Sequence, residues 1–189
     1  MAVSDVSICN QAIYQLGGKT ISALSDSTEA ARKCNAVYSQ VRDALLRAHP
    51  WNFAIKEAEL SVLVETPEYS FDYYYELPSD CLRVVHSDLD KVDIAYEIHG
   101  QKLATNATSV CIKYIAQITD ETTFDSVFVD LFAARLAAEL SFAFTNSRTV
   151  EQQKWEIYKE KFSQATGADA QEGTPAELTA DEWLDARDE

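Results

Sequence analysis

FDSVFVDLFAARLAAELSFAF, residues 124–144, decides the fold. Only four of its side chains carry charge, Asp125, Asp130, Arg135 and Glu139. A helix this apolar on every side has no solvent face, which predicts the central helix of a bundle. Downstream, Asn146-Ser147 breaks the pattern and caps a further helix. There Trp155, Tyr158, Phe162 and Ala165 form a stripe, while Glu151, Lys154, Glu156, Lys159, Glu160 and Lys161 face water. Upstream, Ser4 is placed to cap a short helix bearing Val6, Cys9, Ile13 and Leu16 on one side and ending at Gly17-Gly18. A loop follows, in which Asp26 and Glu29 are spaced like a capping-box variant. Ala30, Cys34, Val37, Val41, Leu45 and Ala48 then recur at helical spacing until Pro50, with Arg32, Lys33, Arg42 and Arg47 read as a basic outer face.

Between these helices the period drops to two. Val92, Ile94, Tyr96 and Ile98 alternate with polar or small residues, and after a turn at Gly100 so do Val110, Ile112, Tyr114, Ala116 and Ile118. Each series predicts a strand with one buried face. Leu60, Val62 and Val64, then Tyr73, Tyr75 and Leu77, predict two more, punctuated by Pro67 and Pro78. The expected fold class is α+β: an up-and-down helical bundle (residues 1–53 and 120–166), an inserted small antiparallel β module of four or five strands (54–119), and an extended acidic C-terminal arm (167–189).

Charge narrows the function classes. The 189 residues are 47% apolar and carry a formal charge of −15, so the chain has material for a core but lacks the clustered cations that grip nucleic-acid phosphates or anionic membranes. The start MAVSDVSICN lacks a basic segment followed by an apolar run, which predicts a protein made and assembled in a cytosol, with no membrane association. Almost half the charge lies beyond residue 166. Composition alone predicts disorder of that arm in the free chain, but Leu178, Trp183 and Leu184 are bulky anchors among its acids and point to a segment that folds onto a partner.

Motifs for chemistry are few. Cys9, Cys34, Cys81 and Cys111 lie too far apart for a zinc site and read as reduced core thiols. No phosphate-cradling loop, nucleophile elbow or zinc-protease motif occurs, and no cofactor is implied. Cys81 with His86 lacks an orienting third group. The acid pairs Glu57 with Glu59 and Asp88 with Asp90 are what any acid-rich chain supplies, and read as solvated charges at strand edges. The aromatic run Tyr69, Phe71, Tyr73, Tyr74 and Tyr75 has no basic company, which favours cross-strand packing or a protein interface over base stacking.

Three stretches together carry a resemblance: ICNQAIYQLGGKTISALSDSTEAARKCNAVYSQVRDALLRAHPWNFA (8–54), YYYELPSDCLRV (73–84) and IAYEIHGQKLATN (94–106). Leu45-Leu46 followed by Pro50-Trp51-Asn52-Phe53 is the most specific element, and the turn from Leu77 through Arg83 is next. The pattern resembles the tail tubular protein A family, the head-to-tail adaptors of short-tailed bacteriophages. The resemblance implies a non-enzymatic virion protein, assembled in the host cytoplasm into a homo-oligomeric ring, typically of twelve copies, at the portal vertex. Such a ring contacts the portal protein and the tail nozzle protein, and DNA passes through it at ejection without specific binding. The competing expectation is a cell-wall-degrading hydrolase associated with the tail, resting on the scattered carboxylates.

On the ring reading, Arg32, Lys33, Arg42 and Arg47 are expected to meet acids of a neighbour. Trp51 and Phe53 are expected to hinge bundle to module, burying against the fourth helix near Trp155. The arm, through Leu178, Trp183 and Leu184, is expected to leave its own bundle and dock on the portal or an adjacent subunit.

Overall fold

The computed structural model describes residues 3–91 and 93–172. Four helices, α1 (Asp5–Gln15), α2 (Glu29–Ala48), α3 (Ser126–Thr145) and α4 (Arg148–Gln171), bracket six short strands. α3 packs against each of the other three helices. Its Phe128, Leu131, Phe132, Leu136 and Leu140 are buried with Ile8, Ile13, Cys34 and Leu45 in one core, so the nearly uniform apolarity of the segment is met by neighbours on every side.

Local chemistry punctuates the helices. Ser4 caps α1 in a reciprocal capping box with Ser7. Gly17 takes φ +70° just past the end of α1, and Gly18 lies so close to α3 that an added Cβ would stand 3.0 Å from the Phe144 ring. Asn146, at φ 51°, ends α3, and Ser147 accepts the Val150 N–H to start α4. The cap of α2 differs from expectation. Asp26 turns its carboxylate back onto the N–H groups of Ser22 and Ala23, and Thr28 caps the helix instead, accepting from Ala31 N–H at 3.2 Å. A carboxylate already closing its own loop is not free to cap two residues later.

The inserted module holds two three-stranded antiparallel sheets. One runs β1 (Ile55–Glu59), β6 (Cys111–Ala116), β3 (Cys81–Ser87); the other runs β2 (Tyr73–Glu76), β5 (Lys102–Thr105), β4 (Tyr96–His99). Between them lies a second core of Leu60, Tyr75, Leu77, Leu103, Val110, Ile112 and Tyr114. Ile115 points the other way, from β6 into the bundle core. β6 therefore joins the two cores through the alternation of its pleat.

Several strand expectations are corrected. The strand after the Gly100 turn is β5, paired His99↔Lys102 with β4, and the series at 110–118 belongs to the other sheet. β5 escaped notice because Leu103, Ala104 and Thr105 are all buried, so this central strand has no alternation to read. β3, which reads only as a strand-like segment from Cys81 to His86, shows no clean alternation because register shifts between Cys81 and Arg83, and between Val84 and His86, scramble its period. Val62 and Val64 are exposed; the first strand lies at Ile55–Glu59, and Val62 makes a single bridge to Tyr75. Asp93 adopts φ 53° and β4 begins only at Tyr96; Ile94 and Ile98 are exposed, where alternation had predicted a buried face, and Val92 lies outside the described residues.

The bundle also runs further than expected. Helix α4 passes through Gly167 to Gln171, so the arm proper begins beyond it.

Candidate functional site

Helix α2 carries the four cations expected to form an interface, and the structure disperses them. Arg32 is exposed and donates to the Ser27 carbonyl at 3.0 Å, bracing the loop before the helix. Lys33 sits 2.6 Å from Glu29, donates to the Ala143 carbonyl at 2.7 Å and lies over the Phe144 ring, so it closes the C-terminal end of α3, where a cation also complements the helix dipole. Arg42 is 8% exposed and does not belong to an outer face. Its Nε donates to Asp43 at 2.8 Å, and Asp43 accepts in turn from Gln117 at 2.7 Å. Arg47 is exposed and reaches across to donate to the Leu82 carbonyl. Arg42 and Arg47 are drawn in because the C-terminal half of α2 packs on β3 and β6, and the module covers what helical periodicity alone presents as a solvent face.

Trp51 is buried, 2% exposed, at the junction of bundle and module. Its partner on α4 is Phe162, with ring centroids 6.4 Å apart and planes at 90°, and the pair is joined by Phe53 and Phe128. Trp155 lies about two turns away along α4 and instead stacks on Arg135, which is held between Trp155 and Tyr158 and bonded to Glu139. The expected contact of Trp51 with the fourth helix is present, but two turns nearer its C-terminus. Asp169 completes the junction: its carboxylate accepts from Asn52 N–H at 3.0 Å and lies 3.0 Å from His49 Nε2, while its carbonyl accepts from the Asn52 side chain at 2.7 Å. Sequence reading placed Asp169 in the arm and missed this role, because an acid among other acids carries no signal of its partner.

The candidate catalytic pairs separate. Cys81 is buried, and desolvation, followed by the nearby Asp80, pushes its thiol above the usual range, which disfavours the nucleophilic thiolate. His86 lies five residues along the same strand, about 16 Å away at the rise of an extended chain. Asp88 and Asp90 are committed to a turn, accepting from Cys111 N–H and Ser87 N–H respectively. Glu57 and Glu59 stand in water on the edge strand β1, as expected. Cys9, Cys34 and Cys81 are buried, but Cys111 is exposed, because it occupies the outward pleat beside Ile112. Among the described residues, no group of three or more His, Cys, Asp or Glu is placed to hold a metal ion, and no helix is long and apolar enough to cross a membrane.

Among the described residues, two further surfaces bear on binding. In the aromatic run, Tyr75 is buried and donates to the Ala107 carbonyl at 2.8 Å, whereas Tyr69 and Tyr73 are exposed. Tyr69 lies with Val62 and Val64 in an exposed apolar stretch between β1 and β2, where sequence reading had placed the two valines in a strand, and Tyr73 opens β2. On another side, a groove of about 300 Å³ opens between Arg47, Leu82, Arg83 and Val84 on one wall and Tyr96 and Ile98 on the other. No protein-family model matches the chain, and no curated protein matches it. Leu178, Trp183 and Leu184 lie outside the described residues.

Proposed function

We propose that the chain is a structural, non-enzymatic virion protein, one subunit of a head-to-tail adaptor ring that joins the portal protein to the tail nozzle of a short-tailed bacteriophage and continues the DNA channel. The observation that carries this reading is the junction at residues 45–53. The element most specific to the resemblance, Leu45-Leu46 with Pro50-Trp51-Asn52-Phe53, is the same set of residues that fixes the chain against α3 and α4 where it leaves α2 for the module, through Trp51, Phe53 and the Asp169 contacts. A subunit whose two parts meet different neighbours needs such a rigid joint, since slack there would spread over every copy of a ring. The exposed apolar loop at Val62, Val64 and Tyr69 and the exposed Arg32 and Arg47 supply surfaces for those neighbours. The arm, on this reading, reaches the portal or the adjacent subunit, and the assembled ring resides at the portal vertex of the virion.

The test is assembly. Mixed with the portal protein of the same phage, the purified chain is expected to add a ring of density beneath the portal in negative-stain images, with a mass gain of about twelve copies. A portal whose mass and outline do not change in the presence of excess chain overturns the reading.

A further inference from the structure

The groove beside β4 mixes apolar side chains, Leu82, Val84, Tyr96 and Ile98, with the guanidinium groups of Arg47 and Arg83, and the rest of the described chain leaves it uncovered. Alternation marks Tyr96 and Ile98 as inward-facing, yet Ile98 is 44% exposed and lines the groove with Leu82 and Val84 opposite. β3 and β4 are the edge strands of their respective sheets, so the groove also runs along open backbone. Two guanidinium groups, Arg47 and Arg83, stand at its walls in a chain of net charge −15, and among the described residues neither is paired with a carboxylate. Its chemistry selects an acidic segment with bulky apolar anchors.

Such a segment begins next to it. Helix α4 ends at Gln171, and its last turns are fixed by Asp169 to His49 and Asn52, two and five residues beyond Arg47. Residues 173–189 contain six acids and one arginine, with Glu177, Asp181, Glu182 and Asp185 around Leu178, Trp183 and Leu184. From Gln171 to Trp183 an extended chain spans up to about 40 Å, ample for a target adjoining the α2 terminus. We propose that in the unassembled chain this acidic arm folds back and occupies its own groove, with Trp183 and Leu184 against Tyr96, Ile98 and Leu82 and the flanking carboxylates on Arg47 and Arg83. Tethering favours the arm of the same chain over that of a second copy, because a short linker holds it at an effective concentration in the millimolar range. The proposal concerns the free chain and stands independently of the ring reading.

The full-length chain labelled with 5-fluorotryptophan gives three fluorine resonances, from Trp51, Trp155 and Trp183, assigned with the W183F variant. At low salt and at every protein concentration, the Trp183 resonance is expected to show a solvent isotope shift like that of buried Trp51. In R47E/R83E, or in 1 M salt where screening reaches within about 3 Å, it is expected to move to the position of a solvated indole. Because Arg47 also braces the Leu82 carbonyl, the Trp51 resonance reports whether that variant keeps its fold; if it does not, I98E, on an exposed strand position, is expected to release Trp183 alone. A Trp183 resonance that is fully solvated in the unaltered chain, or one unmoved by I98E, overturns the proposal. Protection that appears only as the mass doubles overturns it as well, and assigns the groove to the arm of a second copy.

Discussion

The indole N–H of Trp51 donates to the carbonyl oxygen of Leu45 at 3.0 Å. Leu45 lies among the last four residues of α2, whose carbonyls have no partner within the helix, so the ring that packs the junction also satisfies one of the orphaned acceptors. Replacing Trp51 with Ala is expected to destabilise the chain by about 3–5 kcal/mol, the usual cost of deleting a buried aromatic ring. Trp51→Phe keeps a ring against Phe128 and Phe162 but orphans the Leu45 carbonyl, with an expected further cost of about 1–3 kcal/mol beyond lost packing. Chemical denaturation of both variants checks the order.

Arg42 and Arg32 lie on the same helix and are expected to behave oppositely. Arg42→Ala removes a nearly buried guanidinium from Asp43 and the alkyl stem packed beneath it, at an expected cost of about 1–3 kcal/mol. Arg32→Ala, whose side chain stands in water, is expected to stay within about 0.5 kcal/mol of the unaltered chain. For the same reason, a charge reversal meant to probe ring contacts belongs at Arg32 and Arg47. R32E/R47E is expected to weaken ring assembly on the portal in negative-stain counts while leaving the helical circular dichroism in place.

One carboxylate, that of Asp80, with its two hydrogen bonds predicts pH dependence at both ends of the scale. Lys56 donates to Asp80 at 2.7 Å and holds its carboxyl below the usual range, with Tyr114 donating to the other oxygen at 3.1 Å. A carboxyl depressed on folding contributes stability that is fully present above its unfolded pKa of about 3.9 and is lost as pH falls through the folded value. Tyr114 is pushed up to about 12, by burial first and by Asp80 second. Its contribution is fully present below the unfolded value of about 10 and is lost as pH rises toward 12. Urea midpoints of D80N are therefore expected to vary less with pH than those of the unaltered chain, both below pH 4 and above pH 10.

The four thiols are expected to sort by position. Cys111 alone of the four is exposed; partial desolvation, followed by the negative charges of Asp88 and Glu59, raises its pKa, so it should react with a thiol reagent in the native chain, but more slowly than a free cysteine. Cys9, Cys34 and Cys81 are expected to react only on unfolding. Titration with a chromogenic disulfide should give one thiol in buffer and four in denaturant.

If the ring holds twelve copies, their formal charge sums to 12 × −15 = −180, which predicts that DNA is passed along and not held. Filter binding of duplex DNA to assembled rings at physiological salt should show no retention.

What the sequence determined by itself was local. Ser4, Gly17, Asn146 and Ser147 act on groups within a few residues, through capping hydrogen bonds and left-handed backbone, so the ends of α1 and the turn from α3 into α4 could be read from neighbours in the chain, whereas the start of α2 and the end of α4 could not. The central place of α3 was also legible, because a segment apolar all round permits only burial. What the tertiary structure decided was non-local. Whether Arg42 faces water depends on β3 and β6, which lie roughly 40 to 75 residues onward, and no property of α2 contains that information. The same holds for Asp169, an acid among acids until Asn52 and His49 meet it from 117 and 120 residues away. Strand partners were hidden for a related reason. Alternation reports one buried face, and it vanishes when a strand such as β5 is buried on both faces or when register shifts break the pleat, as in β3, so the division into two sheets emerges only when the paired backbones come together.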